Sequence, residues 1–155
     1  MNKKNIWMEI AFREAEKAYQ EDEVPIGAII VKDDKIIGRG YNQIESLNDS
    51  TAHAEIIAIT CASNHLNGWR LNDCSIYVTK EPCIMCYGAI KNSRIHNVYY
   101  GAVDLEKGFR KIVEDGDLFL DHIETVESGI MEEKCKSIIQ DFFRKKRKKN
   151  DKSFK

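Results

Sequence analysis

Two short stretches place metal-binding side chains where helices are expected to begin. One contains His53 and, two residues later, Glu55; the other contains Cys83 and Cys86 directly after Pro82. Sulfurs at positions i and i+3 share one face of a helix, and the N–H groups at a helix N-terminus favour thiolates. Two thiolates and an imidazole are a ligand set that suits Zn²⁺. The chain must therefore fold so that two helix starts meet at one cation.

Three protein ligands are typical of a catalytic zinc site, which keeps one position open, whereas a structural site usually closes with a fourth ligand. The other cysteines and histidines lack partners at short spacing, so a fourth ligand would have to come from a distant part of the fold. Cys83 and Cys86 alone would also fit a redox pair or half of a zinc knuckle. The histidine motif and Pro82 make zinc-dependent deamination of a base the more specific interpretation.

Glu55 is predicted to be the general base. Zn²⁺ held by two thiolates and a neutral imidazole acidifies water less than an all-histidine site does, so a neighbouring carboxylate is needed. Glu55 would take a proton from the attacking water and pass it on until ammonia leaves. Residues at i and i+2 point to different sides of a regular helix. The interpretation therefore requires His53 to lie at the helix cap.

Length and composition indicate one soluble domain spanning residues 1–155. The chain is 43% hydrophobic and 32% charged, which is ordinary for a globular protein. No apolar run approaches the roughly 20 residues of a membrane-spanning helix, and residues 1–6 lead into a polar segment unlike a signal-peptide core. Five cysteines without a secretory signal do not indicate a disulfide framework. We expect a cytoplasmic protein without a membrane partner.

The C-terminal segment is strongly basic. Residues 144–155 carry eight Lys or Arg side chains and one acid, so the preceding residues carry 24 − 8 = 16 bases and 25 − 1 = 24 acids, a balance of −8. A solvated helix end and a surface that binds a polyanion both explain this basic tail.

The apolar periodicity predicts alternating helices and strands, which is typical of a layered α/β domain. Residues 42–50 read as a polar loop, and residues 102–120 as a loop with a short helix. The helices are predicted over residues 3–21, 52–66, 83–93 and 130–149, and the strands over residues 26–31, 36–41, 75–79, 96–101 and 122–127.

The other residues that could mark a site are interpreted as packing residues. The predicted buried face of the first helix includes Ile6. The unpaired cysteines are expected to be small buried side chains, the aromatic residues core components rather than base-stacking platforms, and the other histidines surface or packing residues. These sets are Cys61, Cys74 and Cys135; Trp7, Trp69, Tyr99 and Tyr100; and His65, His96 and His122.

Over nearly its whole length the chain resembles the bacterial tRNA-specific adenosine deaminases of the cytidine-deaminase-like superfamily. The zinc motifs would fit any member of that superfamily, and the flanking stretches favour the tRNA enzymes. The stretches that carry the resemblance are residues 23–28, 41–42, 51–56, 69–71, 77–79, 81–86, 93–95, 101–102 with Asp104, and 142–144.

The resemblance implies an α/β/α sandwich around a five-stranded mixed sheet, a homodimer, one Zn²⁺ per chain, and conversion of adenosine to inosine at the wobble position of a tRNA anticodon. The anticodon stem-loop would be the nucleic-acid partner, with no role for DNA. By the same resemblance, Ile26, Asn42 and the Ala54 backbone contact the flipped base and Asp104 contacts the ribose of a flanking nucleotide. The last helix, with Phe142 and Phe143, would lie along the anticodon loop.

The chain departs from the family pattern at three places. Lys80 stands where leucine is common, Tyr87 stands where a small residue is usual, and residues 106–112 lack a Gly-Ser-Leu-type stretch. Two alternatives to the tRNA enzyme stay open: a deaminase of a free base or nucleotide, of guanine or cytidine type, and a non-catalytic zinc module that binds RNA.

Overall fold

The structure, a computed structural model, describes residues 2–113 and 122–153. Within these ranges the helices are Lys3–Gln20 (α1), Ile44–Leu47 (α2), Ala54–Leu66 (α3), Ile84–Asn92 (α4) and Glu132–Ser153 (α5). The strands are Gly27–Lys32 (β1), Lys35–Tyr41 (β2), Cys74–Lys80 (β3), Asn97–Ala102 (β4) and Thr125–Glu127 (β5), and Phe109–Lys111 forms a 3-10 turn.

The strands form one mixed sheet in the order β2-β1-β3-β4-β5. Strand β1 is antiparallel to both β2 and β3, whereas β3, β4 and β5 run parallel. The predicted β1–β2 hairpin turns through Asp33 and Asp34, whose φ angles of 51° and 57° are those of a two-residue type I′ turn. The five-stranded mixed sheet implied by the family resemblance is confirmed.

Both faces of the sheet are covered, because successive strand residues point to opposite sides. Ile30 and Ile76 belong to the core beneath α3 and α4, and their neighbours Ile29 and Tyr77 belong to the core beneath α1 and α5. The predicted three-layer α/β/α sandwich is therefore confirmed. Among the described helices, none is both long and apolar enough to cross a membrane.

Helix α3 lies unusually close to strand β2, and this contact positions the start of the helix. A Cβ atom on Gly40 would come within 2.3 Å of the Ala54 carbonyl oxygen, and one on Gly38 within 2.5 Å of the Ala58 carbonyl oxygen. Only glycine permits such an approach. The small residues at the contact between α3 and β2 therefore set the distance of the helix from the sheet, and with it the position of His53, directly before α3.

Several local predictions were wrong. Cys61 and Trp69 are exposed, whereas Cys74, Cys135 and Tyr100 are buried as predicted. Helix α3 turns its small residues Ala58 and Ala62 towards the sheet, which leaves Cys61 on the outer side. Trp69 follows the end of α3, is 52% exposed, and stacks against the Arg70 guanidinium. Trp7 and Tyr99 are partly buried against the core.

Ile6 is also exposed, because α1 buries a stripe that begins at Met8. The predicted loop over residues 42–50 contains the short helix α2, and the predicted last strand is shorter than expected. The predicted short helix in residues 102–120 corresponds to the 3-10 turn, although residues 114–121 of that segment lie outside the described residues.

Candidate active site

His53 is the N-cap of α3, with φ −75° and ψ 153°, so it precedes the regular helix. The chain reaches this position through a tight turn in which Asp49 accepts hydrogen bonds from the backbone N–H and the hydroxyl of Thr51. The His53 N–H then donates to the Thr51 carbonyl. The condition that the spacing of His53 and Glu55 imposed is met.

Cys83 occupies the equivalent position in α4, as its N-cap with φ −75° and ψ 174°. Cys86 follows in the first turn and is fully buried. Cys83 also pairs with Gly108 in an isolated β-bridge, so the segment after β4 supports the start of α4. Two helix starts therefore converge, as the motif spacing predicts.

The three ligand atoms lie at distances that suit zinc. The His53 Nδ1 atom is 3.7 Å from Cys83 Sγ and 3.4 Å from Cys86 Sγ, and all three atoms lie within 4.8 Å of one another. Nitrogen and sulfur ligands about 2.0 and 2.3 Å from a tetrahedral zinc ion are about 3.5 Å apart. Within residues 2–113 and 122–153, no fourth Cys, His, Asp or Glu joins the group. The geometry therefore fits a three-ligand site.

His53, Cys83 and Cys86 form the ligand cluster, and the hydrogen bonds among them favour a thiolate at one of the two cysteines. The Cys86 thiol donates to Cys83 Sγ and, together with a hydrogen bond from His53, lowers the pKa of Cys83 to about 3 despite burial. The same contact raises the pKa of Cys86, and burial adds to the shift. A soft cation would replace this shared proton as the common partner of both sulfurs.

Glu55 lies in the first turn of α3 and is 4% exposed. Burial raises the pKa of its carboxyl group, although the charge of His53 acts in the opposite direction. Its carboxylate is hydrogen-bonded to the Cys86 side chain, so Glu55 reaches the ligand cluster itself. A carboxylate with a raised pKa beside a metal site can both accept and return a proton.

A cavity of about 260 Å³ opens onto the ligand cluster. Ligand pockets commonly measure about 300–1,000 Å³, so this cavity suits a group as small as one base. Its lining brings together five of the six residues predicted to contact substrate with two ligands and Glu55. The lining consists of Val24, Ile26, Asn42, Ile44, His53, Ala54, Glu55, Lys80, Glu81, Cys83, Asp104, Lys107 and Phe143.

The structure places Phe142 outside this cavity. Its ring is buried, packs edge-on against Tyr19 with ring centroids 6.0 Å apart, and joins α5 to α1. Phe143 is 40% exposed and lines the cavity. Consecutive residues on a helix point in different directions, so of this pair only Phe143 lines the cavity beside Glu55, whereas Phe142 lines a separate hollow together with Tyr19 and Lys146.

Asn42 is buried in the cavity wall, with its amide group held by the backbone. Its Nδ2 donates to the Val24 carbonyl over 3.3 Å, and its Oδ1 accepts the Ile44 N–H over 3.4 Å. These long contacts leave the amide oriented but able to exchange partners. The Asn42 side chain therefore presents both a hydrogen-bond donor and an acceptor at the cavity wall.

Two buried glutamates hold the loops around the cavity, and the sequence interpretation missed both. Glu23 accepts the N–H groups of Glu45 and Ser46 at the start of α2, over 3.0 and 2.7 Å. Burial raises the pKa of Glu23, but the hydrogen bonds from these N–H groups together outweigh that effect, so the pKa lies below its usual value. Glu81 accepts the N–H groups of Asp104 and Arg110, each over 3.1 Å. In the sequence, each of these glutamates lies within two residues of a proline and near apolar residues, and this pattern could have indicated a buried carboxylate.

Comparisons with known proteins agree with this geometry. A family model described as MafB19-like deaminase matches residues 1–147. The chain is 44% identical over 156 aligned residues to the tRNA-specific adenosine deaminase of Streptococcus pyogenes serotype M18 (strain MGAS8232), with 97% of each protein covered.

Two solved structures are also similar. One, from biochemical and structural studies of A-to-I editing by tRNA:A34 deaminases at the wobble position of transfer RNA, is 41% identical with a TM-score of 0.78, and the match covers 86% of this chain and 98% of that chain. The guanine deaminase of Bacillus subtilis is 40% identical with a TM-score of 0.62, over 66% of each chain.

Proposed function

We propose the function of this protein from one premise: the chain belongs to the MafB19-like deaminase family and to the tRNA-specific adenosine deaminases. It catalyses the hydrolytic deamination of adenosine to inosine at the wobble position of a tRNA anticodon. The observation that carries this function in the molecule is the buried Glu55 beside His53, Cys83 and Cys86 at the floor of a cavity of the size of one base.

In our proposal His53, Cys83 and Cys86 hold one Zn²⁺ per chain. When bound, the metal acts as a Lewis acid that makes water a competent nucleophile at neutral pH. Glu55 takes a proton from the water that attacks C6 of adenine and returns protons to the ring nitrogen and the departing amino group. The oxygen of water stays on C6, ammonia leaves, and Glu55 ends as the carboxylate with which it began.

The remaining cavity residues would orient the base. Asn42 and the Ala54 backbone offer hydrogen bonds to its edge, and Ile26 packs against its face. Asp104 stands at the mouth, where the ribose of a flanking nucleotide would lie. Because the cavity accommodates one base, the target adenosine has to leave the base stack of the anticodon loop.

Helix α5 supports the choice of a nucleic acid as the substrate. Phe143 lines the cavity, and the next turns of the helix carry the basic residues of the C-terminal segment. Lys145 lies over the Tyr19 ring and Lys146 over the Phe142 ring. The basic segment therefore begins within one helical turn of Phe143, which lines the cavity. The tRNA anticodon stem-loop is the proposed partner, and we place the reaction in the cytoplasm.

Deamination of free guanine is a second candidate, favoured by the likeness to the Bacillus subtilis guanine deaminase. The deciding assay incubates zinc-loaded protein with unmodified tRNA that carries a wobble adenosine, and separately with free guanine, cytidine and adenosine. We expect inosine in nuclease digests of that tRNA, and none in a control tRNA with guanosine at the wobble position. Deamination of the small molecules without inosine in tRNA would contradict the proposed function.

We also propose that the protein acts as a homodimer. Exposed apolar side chains lie on the outer sides of α2, α3 and α4, including Leu47, Ile84 and Met85, which are 55%, 45% and 36% exposed. Leu47, Ile56 and Cys61 further line a shallow and largely apolar hollow. Exposed apolar surface of this kind is typical of an interface between protein chains.

Replacing Met85 by glutamate is expected to convert the dimer to a monomer, because an unpaired carboxylate would be buried at the interface. Analytical ultracentrifugation measures the mass of each species. Ile6→Glu is the matched control, since Ile6 is 43% exposed on α1 in the opposite layer and should not change the mass. A wild-type protein that sediments as a monomer at micromolar concentration would contradict the dimer.

A further inference from the structure

Lys80 introduces a cation at the mouth of the active-site cavity. It is the last residue of β3, its side chain is 27% exposed, and it lines the same cavity as His53 and Glu55. In the parallel part of the sheet, Lys80 is paired with Ala102 at the end of β4. The carboxyl ends of neighbouring parallel strands are where open α/β sheets bind ligands.

The partner of Lys80 is held in place without it. The Lys80 Nζ atom lies 3.0 Å from Oδ2 of Asp104. The other oxygen of Asp104 accepts the N–H groups of Glu106 and Lys107, each over 3.0 Å. Although burial raises the pKa of Asp104, the N–H of Lys107 and the ammonium of Lys80 lower it, so the carboxylate is ionised at neutral pH.

Lys80 therefore retains capacity for a second partner. An ammonium group carries three donors, and within residues 2–113 and 122–153 its one ion-pair partner is Asp104. Lys107 lines the same cavity and is exposed. Glu55 and Glu81, two further carboxylates of the lining, are each 4% exposed and already have partners, Glu55 the Cys86 side chain and Glu81 two backbone N–H groups. The more exposed charges at the mouth are therefore two ammonium groups and the carboxylate of Asp104, and this local balance favours an anion.

We propose that Lys80 is a specificity-determining residue that binds a phosphate group of the RNA strand directly next to the target nucleotide while it stays in contact with Asp104. This inference rests on the proposed function, because it takes the ligand to be an RNA strand whose one base enters the cavity. A free base or nucleoside has no phosphate to offer. Lys80 thus favours a polynucleotide over the small substrates that the same catalytic residues could accept.

The test uses the full-length, zinc-loaded protein and an anticodon stem-loop with a wobble adenosine. Five stem-loops are compared. One is unmodified, and two carry a neutral methylphosphonate on a 2′-O-methyl ribose, either 5′ or 3′ of the target. The last two are the matched references, with the same 2′-O-methyl ribose and an ordinary phosphodiester. Binding is measured by fluorescence anisotropy over a range of salt concentrations, and inosine formation by digestion. The variants are Lys80→Met, Lys80→Arg and, as a control, Lys3→Met, because Lys3 pairs with Asp34 on the exposed surface.

We expect Lys80→Met to weaken stem-loop binding about tenfold and to reduce the log–log salt slope by about 0.7. Lys80→Arg should retain most of the affinity, and Lys3→Met all of it. In the wild type, one of the two neutral linkages should weaken binding by a similar factor, and in Lys80→Met the same linkage should have almost no further effect. That coupling identifies the phosphate, because a lysine that only held Asp104 would leave the effect of the linkage unchanged.

Equal effects of each neutral linkage in the wild type and in Lys80→Met would overturn the phosphate contact, as would unchanged affinity in Lys80→Met. The two proposals can fail separately. A protein that binds with the expected Lys80 coupling but forms no inosine would overturn the deamination and keep the phosphate contact. A protein that forms inosine without that coupling would do the reverse.

Discussion

Replacing Glu55 by glutamine is expected to lower the rate of inosine formation by about 10²–10⁴-fold while leaving the fold and the zinc content unchanged. Glutamine has nearly the same shape, so it fills the buried position at the start of α3. Its amide cannot accept the proton that the carboxylate takes from water. The measurement is single-turnover inosine formation in wobble-adenosine tRNA, together with zinc per chain and the melting temperature.

Glu14→Gln is the matched control, because Glu14 is equally buried but lies on α1 and pairs with Lys17. It should retain the wild-type rate. If Glu55→Gln kept a rate within a few fold of the wild type, another group would have to move the proton. If the variant lost zinc, Glu55 would be needed to hold the metal, and the lower rate could not be assigned to the loss of a proton acceptor.

The ligand cluster could be predicted because its chemistry is local. Cys83 and Cys86 lie within one helical turn, and His53 and Glu55 lie within one cap, so short spacing was enough to name them. The start of each helix could also be predicted from nearby residues, because Pro82 and the polar turn before His53 are sequence signals of a helix N-terminus. The strands were predicted from the apolar periodicity and the five-stranded mixed sheet was implied by the family resemblance, whereas the order of the strands was not predicted.

The features that were missed depend on contacts between distant parts of the chain. Helix α2 exists because Glu23 accepts its first N–H groups from across the fold, and no residue within 44–47 signals that contact. Cys61 and Trp69 were predicted to be buried because their residue types usually are. The exposure of Cys61 follows from the side of α3 that packs on β2, where Gly38 and Gly40 permit a close approach. Trp69 lies in the loop after that helix. Burial of a single side chain is a property of the packed layers, not of its neighbours in the sequence.

Replacing Cys86 by serine is expected to reduce the zinc content from about one ion per chain to nearly none after dialysis, and to abolish turnover. A serine hydroxyl does not replace a thiolate as a zinc ligand at neutral pH. A ligand present at about 1,000 times its dissociation constant stabilises the folded state by about 4 kcal/mol, so its loss should lower the melting temperature by about 10 °C. Inductively coupled plasma mass spectrometry and thermal unfolding measure both effects.

Cys135→Ser separates loss of the metal from the cost of burying a hydroxyl. Cys135 is as fully buried as Cys86 but lies in α5, beneath the opposite face of the sheet from the ligand cluster. Both variants bury the same polar group, so both should lose stability, but Cys135→Ser should keep one zinc per chain and its turnover. Addition of a strong chelator should lower the melting temperature of Cys135→Ser and leave that of Cys86→Ser unchanged. A Cys86→Ser protein that retained stoichiometric zinc would remove Cys86 from the ligand set, because its buried sulfur would then serve packing alone.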